Sequence, residues 1–210
     1  MYPLRRVTLY THMRHVSRPG TGKTSTCVEA ILQLLRAQPT ARIFACAPSN
    51  SAADVLASRL LEALGARGVN LLYRFYAPSR NMNTAPMAVL PCTSRADNAF
   101  VVPTLDRVLA ARIVIATCGS ASFAYGIKVP QGHFSHIFVD EAGQATEPEA
   151  MVPIKTMADA QTNIILSGDP KQLGAVIRSK VAKELGLGIS YLERLMQMQV
   201  YDETTGDGRS

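Results

Sequence analysis

Pro19-Gly20-Thr21-Gly22-Lys23-Thr24 is the stretch that most constrains what this chain can fold into. A glycine turn ends in Lys-Thr, and a helix-like run from Ser25 to Ala37 follows directly. Small residues let successive backbone N–H groups point inward. The start of a helix adds positive potential, and one lysine supplies a full charge. Together these hold phosphate. The complete pattern, G-x-x-x-x-G-K-[ST], would begin with Gly at position 17, where Ser17 stands. If that position needs a left-handed backbone, the replacement costs about 1 kcal/mol.

A phosphate loop of this kind needs an apolar strand in front of it and a parallel sheet around it. Val7 to Tyr10 reads as that strand, but Thr11 to His15 separate it from the loop, so a weak or displaced first strand is expected. Residues 22–37 read as a helix with Val28, Ile31, Leu32, Leu34 and Leu35 on its apolar face, ended by Pro39. Arg42 to Ala47 is a largely apolar run without alternation, as in a strand covered on both faces. After Pro48-Ser49, a helix capped by Asn50 or Ser51 should run to Leu64, with Val55, Leu56, Leu60, Leu61 and Leu64 on one side. Leu71 to Tyr76, Arg112 to Thr117, His136 to Val139 and Asn163 to Ser167 read as further strands. Residues 104–111, 147–158 and 189–199 read as helices between or after them, with Pro148 in a first turn. Residues 77–104, punctuated by Pro78, Pro86, Pro91 and Pro103, read as an irregular surface excursion within the domain. The polar motifs fall just after strand C-termini, where an open parallel α/β sheet binds its ligand. The expected fold is therefore α/β, a P-loop NTPase (RecA-like) parallel sheet with helices on both faces.

Composition narrows the class. No apolar run approaches the roughly 20 residues of a membrane helix, and the Arg-containing start has no apolar signal core. The four cysteines, Cys27, Cys46, Cys92 and Cys118, form no C-x-x-C, which suits buried thiols in a reducing compartment. His133 and His136 sit at a strand entry without further metal ligands in view. Net charge is +6, and residues 1–60 carry all of the excess, with eight Lys or Arg against two Asp or Glu. Basic surface near a phosphate site suits a polyanion, most simply nucleic acid, and equally a solvated basic face.

The chemistry rests on two halves. Lys23 is assigned to the β/γ phosphates, Thr24 to Mg²⁺, Asp140 to the same ion directly or through water, and Glu141 to the attacking water as base. A glycine loop before a helix, together with an apolar strand ending in Asp-Glu, is a far stronger signal than either alone.

Asp140-Glu-Ala-Gly-Gln144 and Gly168-Asp-Pro-Lys-Gln-Leu-Gly174, with Ala47-Pro-Ser-Asn-Ser51 and Glu147-Pro-Glu149, narrow the class further. Arg178-Ser179 and Gly186 to Leu195 extend them. On these motifs the chain resembles the superfamily 1 up-frameshift-like RNA helicases, in the Armitage and Moloney-virus-resistance branch, over about residues 19–197. The resemblance implies that Gly20, Thr21, Gly22, Lys23 and Thr24 bind ATP and Mg²⁺. It implies that Pro48, Ser49, Asn50 and Thr117 lie along the backbone of single-stranded RNA. It implies that Gln144 and Gln172 sense the γ-phosphate, with Arg178 nearby. Each of these polar residues outside the acid pair has a plainer role open to it in capping or turn chemistry.

The resulting expectation is an ATP-hydrolysing RNA helicase represented by its first RecA-like domain. Residues 1–18 would form a divergent N-terminal segment, 19–200 the domain, with an insertion at about 77–104, and 201–210 a polar tail. Such helicases complete their ATP site with arginines from a second RecA-like domain, whose absence costs 10³–10⁵-fold in turnover. The 210 residues alone are thus expected to turn over slowly and not to unwind duplexes. The alternatives are a nucleotide- or RNA-binding module without turnover and a DNA helicase of the same class. The resemblance also implies a cytoplasmic ribonucleoprotein setting with RNA-silencing partners and no membrane.

Overall fold

The computed structural model describes residues 7–11, 22–169 and 174–198. In chain order the strands are β1 (Val7–Thr11), β2 (Ile43–Ala47), β3 (Leu72–Arg74), β4 (Arg95–Ala96), β5 (Ala99–Phe100), β6 (Ile113–Thr117), β7 (His136–Val139) and β8 (Asn163–Gly168). The helices are α1 (Lys23–Ala37), α2 (Asn50–Leu64), α3 (Gly68–Leu71), α4 (Leu105–Ala110), α5 (Phe123–Gly126), α6 (Glu147–Met157), α7 (Lys180–Glu184) and α8 (Tyr191–Met196).

Six strands form one parallel sheet in the order β1-β8-β7-β2-β6-β3. Alternate residues of each central strand feed two separate cores. Ile43, Ala45 and Ala47 of β2 pack with Ile113 and Ile115 of β6 under α1 and α2. Phe44 and Cys46 pack with Val114, Ala116, Ile137, Val139, Ile164 and Leu166 on the opposite face, toward α6 and α8. Covering on both faces explains why these strands read as unbroken apolar runs. The displaced first strand is β1, which takes the sheet edge beside β8, with Leu9 opposite Leu166. All four cysteines are buried free thiols, and burial pushes the Cys27 and Cys46 thiols well up. Among the described residues no helix is long and apolar enough to cross a membrane.

The structure revises four local readings. The cap of α2 is Ser49, whose Oγ accepts from the Ala52 N–H at 3.1 Å, because the chain is still extended at Ser49 and turns helical one residue earlier than expected. The buried stripe of α2 is Ala53, Leu56, Ala57, Leu60 and Leu61, and Val55 faces solvent at 45% exposure. The 77–104 segment has two short 3₁₀ turns and the antiparallel β4–β5 ribbon, and it sends Val89, Cys92 and Phe100 into the core. Those three are separated by prolines and polar residues, so no period announced them. Residues 180–184 form α7, a single turn too short to show a period.

The segment is fastened to α2 by a buried polar cluster. Arg74, at the end of β3, is wholly buried. Its Nε donates to Asp54 Oδ1 at 3.0 Å, its Nη1 to the Phe75 carbonyl at 2.9 Å, and its Nη2 to Asn50 Oδ1 at 3.1 Å. The Tyr76 hydroxyl donates to Asp54 Oδ1 at 2.6 Å, and Arg80 Nη2 donates to Asp54 Oδ2 at 2.8 Å. The Arg74 guanidinium also lies 4.1 Å from the centre of the Tyr76 ring. A buried ion pair is near break-even against an apolar pair of equal volume, but removing one partner strands the other. Asp54→Ala is therefore expected to cost about 3–5 kcal/mol. Asp54→Leu combined with Arg74→Met should recover much of that loss, read as the urea midpoint of each variant.

Candidate functional site

The chemistry-bearing residues meet at the C-terminal edge of β7 and β8, against the start of α1. Gly22 precedes α1 with φ 82°, a left-handed conformation that places Lys23 and Thr24 in the first helical turn. Lys23 Nζ lies 3.7 Å from Asp169 Oδ2, and both side chains are nearly buried. Gly20, Thr21 and Gln172 lie outside the described residues.

Asp140 follows β7 directly, and its N–H donates to the Cys46 carbonyl at 2.8 Å, continuing the sheet ladder. The residue is 1% exposed. Neither carboxylate oxygen has a donor in hydrogen-bonding geometry. Burial raises its pKa, opposed by the Thr24 and Ser167 hydroxyls, the Glu141 backbone and the Lys23 charge, all near enough to favour the anion. Two donor-free buried oxygens beside a threonine hydroxyl form an all-oxygen set suited to a hard cation. Mg²⁺ characteristically takes one or two carboxylates and completes its shell with phosphate and water. Among the described residues no group of three or more His, Cys, Asp or Glu could hold a metal by itself.

Glu141 sits at φ 53° and ψ 36°, left-handed without being glycine. Such backbone costs on the order of 1–3 kcal/mol and concentrates at functional sites. Burial raises its pKa first and the Asp140 charge second, with Lys23 opposing. Gln144 donates from Nε2 to Glu141 Oε2 at 3.1 Å. The turn that carries both is pressed against the end of β8. A Cβ at Gly143 would lie 2.7 Å from the Asp169 carbonyl oxygen, and one at Gly168 would lie 2.8 Å from the Gly143 nitrogen. Only glycine at both positions lets the Asp140–Gln144 and Gly168-Asp169 stretches touch.

The residues expected along a nucleic-acid strand lie on neighbouring strands of the same edge. Ala47 and Thr117 are register partners at the ends of β2 and β6, and the Cys118 N–H donates to the Ala47 carbonyl at 2.9 Å. Pro48, Ser49 and Asn50 follow β2. Ser49 caps α2, and Thr117 Oγ1 shares a 2.8 Å hydrogen bond with Ser120 Oγ. Asn50 is bonded by its oxygen to Arg74 instead of capping.

Several residues were missed in the sequence. Asp169 and Ser167 close β8 as Asp140 closes β7, so the strand-end rule that found one would have found the others. Glu147 forms a bidentate pair with Arg194, both contacts at 2.6 Å, while Glu149 completes a capping box with Thr146. That resemblance motif thus ties α6 to α8. Arg178 is exposed.

Because burial raises the Asp140 pKa, the folded state disfavours its ionised form, and wild-type stability falls as pH rises from the unfolded toward the folded value. Asp140→Asn is expected to raise the urea midpoint at pH 7 without nucleotide. The gain should vanish below the ordinary carboxylate range, where both states are protonated.

The sequence pattern of the AAA domain family matches residues 10–99 and 103–180. Human RNA helicase Mov10l1 is 44% identical over 183 residues, covering 87% of this chain and 14% of that protein. Putative helicase MOV-10 of Gallus gallus is 46% identical over 188 residues, covering 85% and 19%. Probable RNA helicase armi of Drosophila melanogaster is 34% identical over 199 residues, covering 87% and 17%. The chain spans less than a fifth of the length of these relatives. It belongs to the AAA domain family, in the up-frameshift-like superfamily 1 helicase group and its Armitage and Moloney-virus-resistance branch.

Proposed function

We propose that this chain is the first RecA-like domain of an ATP-dependent RNA helicase, binding ATP with Mg²⁺ and contacting single-stranded RNA along its sheet edge. The observation that carries the reading is Asp140, a buried carboxylate with no hydrogen bond in good geometry, set beside the Lys23 charge and the Thr24 hydroxyl. Residues 19–200 form the domain in this reading, with residues 77–104 as an insertion and 201–210 as a tail. The proposed setting is a cytoplasmic, RNA-silencing ribonucleoprotein.

Lys23 exchanges Asp169 for the β/γ phosphates, and the Gly20–Thr24 backbone cradles them. Thr24 and Asp140 would hold a Mg²⁺, which would supply positive charge against that developing on the phosphates. Glu141 accepts a proton from the attacking water, and Gln144, bonded to Glu141, orients it. Gln172 joins Gln144 in sensing the γ-phosphate. Pro48, Ser49, Asn50 and Thr117 meet the RNA backbone, reading no bases. Among the described residues no arginine is among the groups that shift Asp140 or Glu141. Arginines from a second RecA-like domain are proposed to complete the site, contributing 10³–10⁵-fold in turnover. The 210 residues alone therefore bind ATP and hydrolyse it slowly.

A fluorescent ATP analogue titrated onto the 210-residue chain tests this. Lys23→Ala is expected to weaken binding by about 10–100-fold, the value of a charge-assisted phosphate contact, with circular dichroism unchanged. Glu141→Gln is expected to bind as wild type and lose the residual turnover. Binding indifferent to Lys23→Ala sinks the nucleotide reading. Tight binding with no turnover in wild type, even with a second helicase domain supplied, leaves a binding module.

A further inference from the structure

A cleft of about 690 Å³ opens between the outer side of α2 and the start of the 77–104 segment. Asn50 stands at one end of its lining, followed along α2 by Val55, Ser58 and Arg59, and Arg80 and Pro86 line it from the segment. The one lining carboxylate, Asp54, is already shared between Arg74 and Arg80. With Arg74 behind it, the wall carries more positive than negative charge. Arg59 is exposed and donates to the Ser25 hydroxyl at 2.8 Å, a neutral acceptor that an anion readily replaces. Val55 adds an exposed apolar surface, and the half-buried Pro86 lines the same cleft. An exposed arginine beside an apolar wall fits a phosphate joined to a flat, weakly polar body. The cleft is also continuous with Asn50, where the sheet edge is proposed to hold a strand.

We propose that this cleft is a subsite for one nucleotide of the bound single strand. Arg59 holds its phosphate after exchanging Ser25 for it, and Val55 and Pro86 pack against its base or ribose. The inference rests on the single-strand reading above and adds a position that none of the resemblance motifs assigns. It also places the anion against a partner of α1, two residues beyond Lys23.

The test is anisotropy of labelled U10 on the 210-residue chain across a salt series. Losing one phosphate contact lowers the magnitude of the slope of log K against log[salt] by about 0.7. Arg59→Ala is expected to show that drop and to bind about three- to tenfold more weakly at low salt. Arg59→Lys should restore most of the slope. Arg67→Ala, an exposed arginine outside the cleft, should change neither. Slope and affinity unchanged in Arg59→Ala overturn the subsite. If Asn50→Ala still weakens U10, the edge reading survives that failure; if wild type does not bind U10, both fall. Arg59-dependent binding of an acidic peptide, with U10 binding indifferent to Arg59, also overturns it and gives the cleft to a protein partner.

Discussion

The sheet edge is arranged around a buried carboxylate whose nearest donors, the Thr24 and Ser167 hydroxyls, stop short of good hydrogen-bond geometry. Asp140 is held in place by the ladder bond from its own N–H, so it cannot retreat from the buried position that raises its pKa. Burial disfavours ionisation there, and the Lys23 charge opposes that cost. Its neighbours share that arrangement. Lys23 leans toward Asp169, Gln144 toward Glu141, and the Gly143–Gly168 approach fixes the distance between the two strand ends. Rigid strands thus supply the position, and local strain at Glu141 supplies the aim.

The architecture was readable because parallel strands buried on both faces leave unbroken apolar runs in the chain. The six runs stand in the sheet, and the helix limits of α1, α2 and α6 fall within a residue or two of their patterns. The polar end of β7 was visible for the same reason, since charge at a buried strand's end has to be there for something. What could not be read depended on contacts distant in sequence. Arg74 looked like an ordinary residue of a marginal strand, because nothing local says that Asp54, twenty positions earlier, comes to meet it. Asn50 looked like a helix cap for want of the same partner. Val89, Cys92 and Phe100 lay in a stretch whose prolines erase any period. The Glu147-Pro-Glu149 motif carried only a family resemblance in sequence, and its acids bond to Arg194 and to the start of α6.

Two kinds of polar burial coexist in one small domain. Around Asp54 two guanidiniums and a phenol share one carboxylate, and Arg80 Nε is the one buried nitrogen there without a partner. Around Asp140 the oxygens are left open. The first kind is bonding that holds a shape, and the second leaves capacity that the proposed cation would use. Asn50 belongs to both regions, since its oxygen is fixed by the satisfied cluster while it stands at the edge proposed for the strand.

The 77–104 segment is built into the core beside it. Phe100 stacks 4.3 Å from Tyr76, Val89 and Cys92 complete the core under α2, and Arg80 gives Asp54 its second cation. Exchanging the segment between related helicases therefore exchanges part of the α2 core and alters the electrostatic setting of Asn50 in the same stroke. Variation in this stretch is consequently not free to follow substrate alone. It has to evolve together with α2 and the end of β3, and natural versions of the segment should be interchangeable only as a set with those residues.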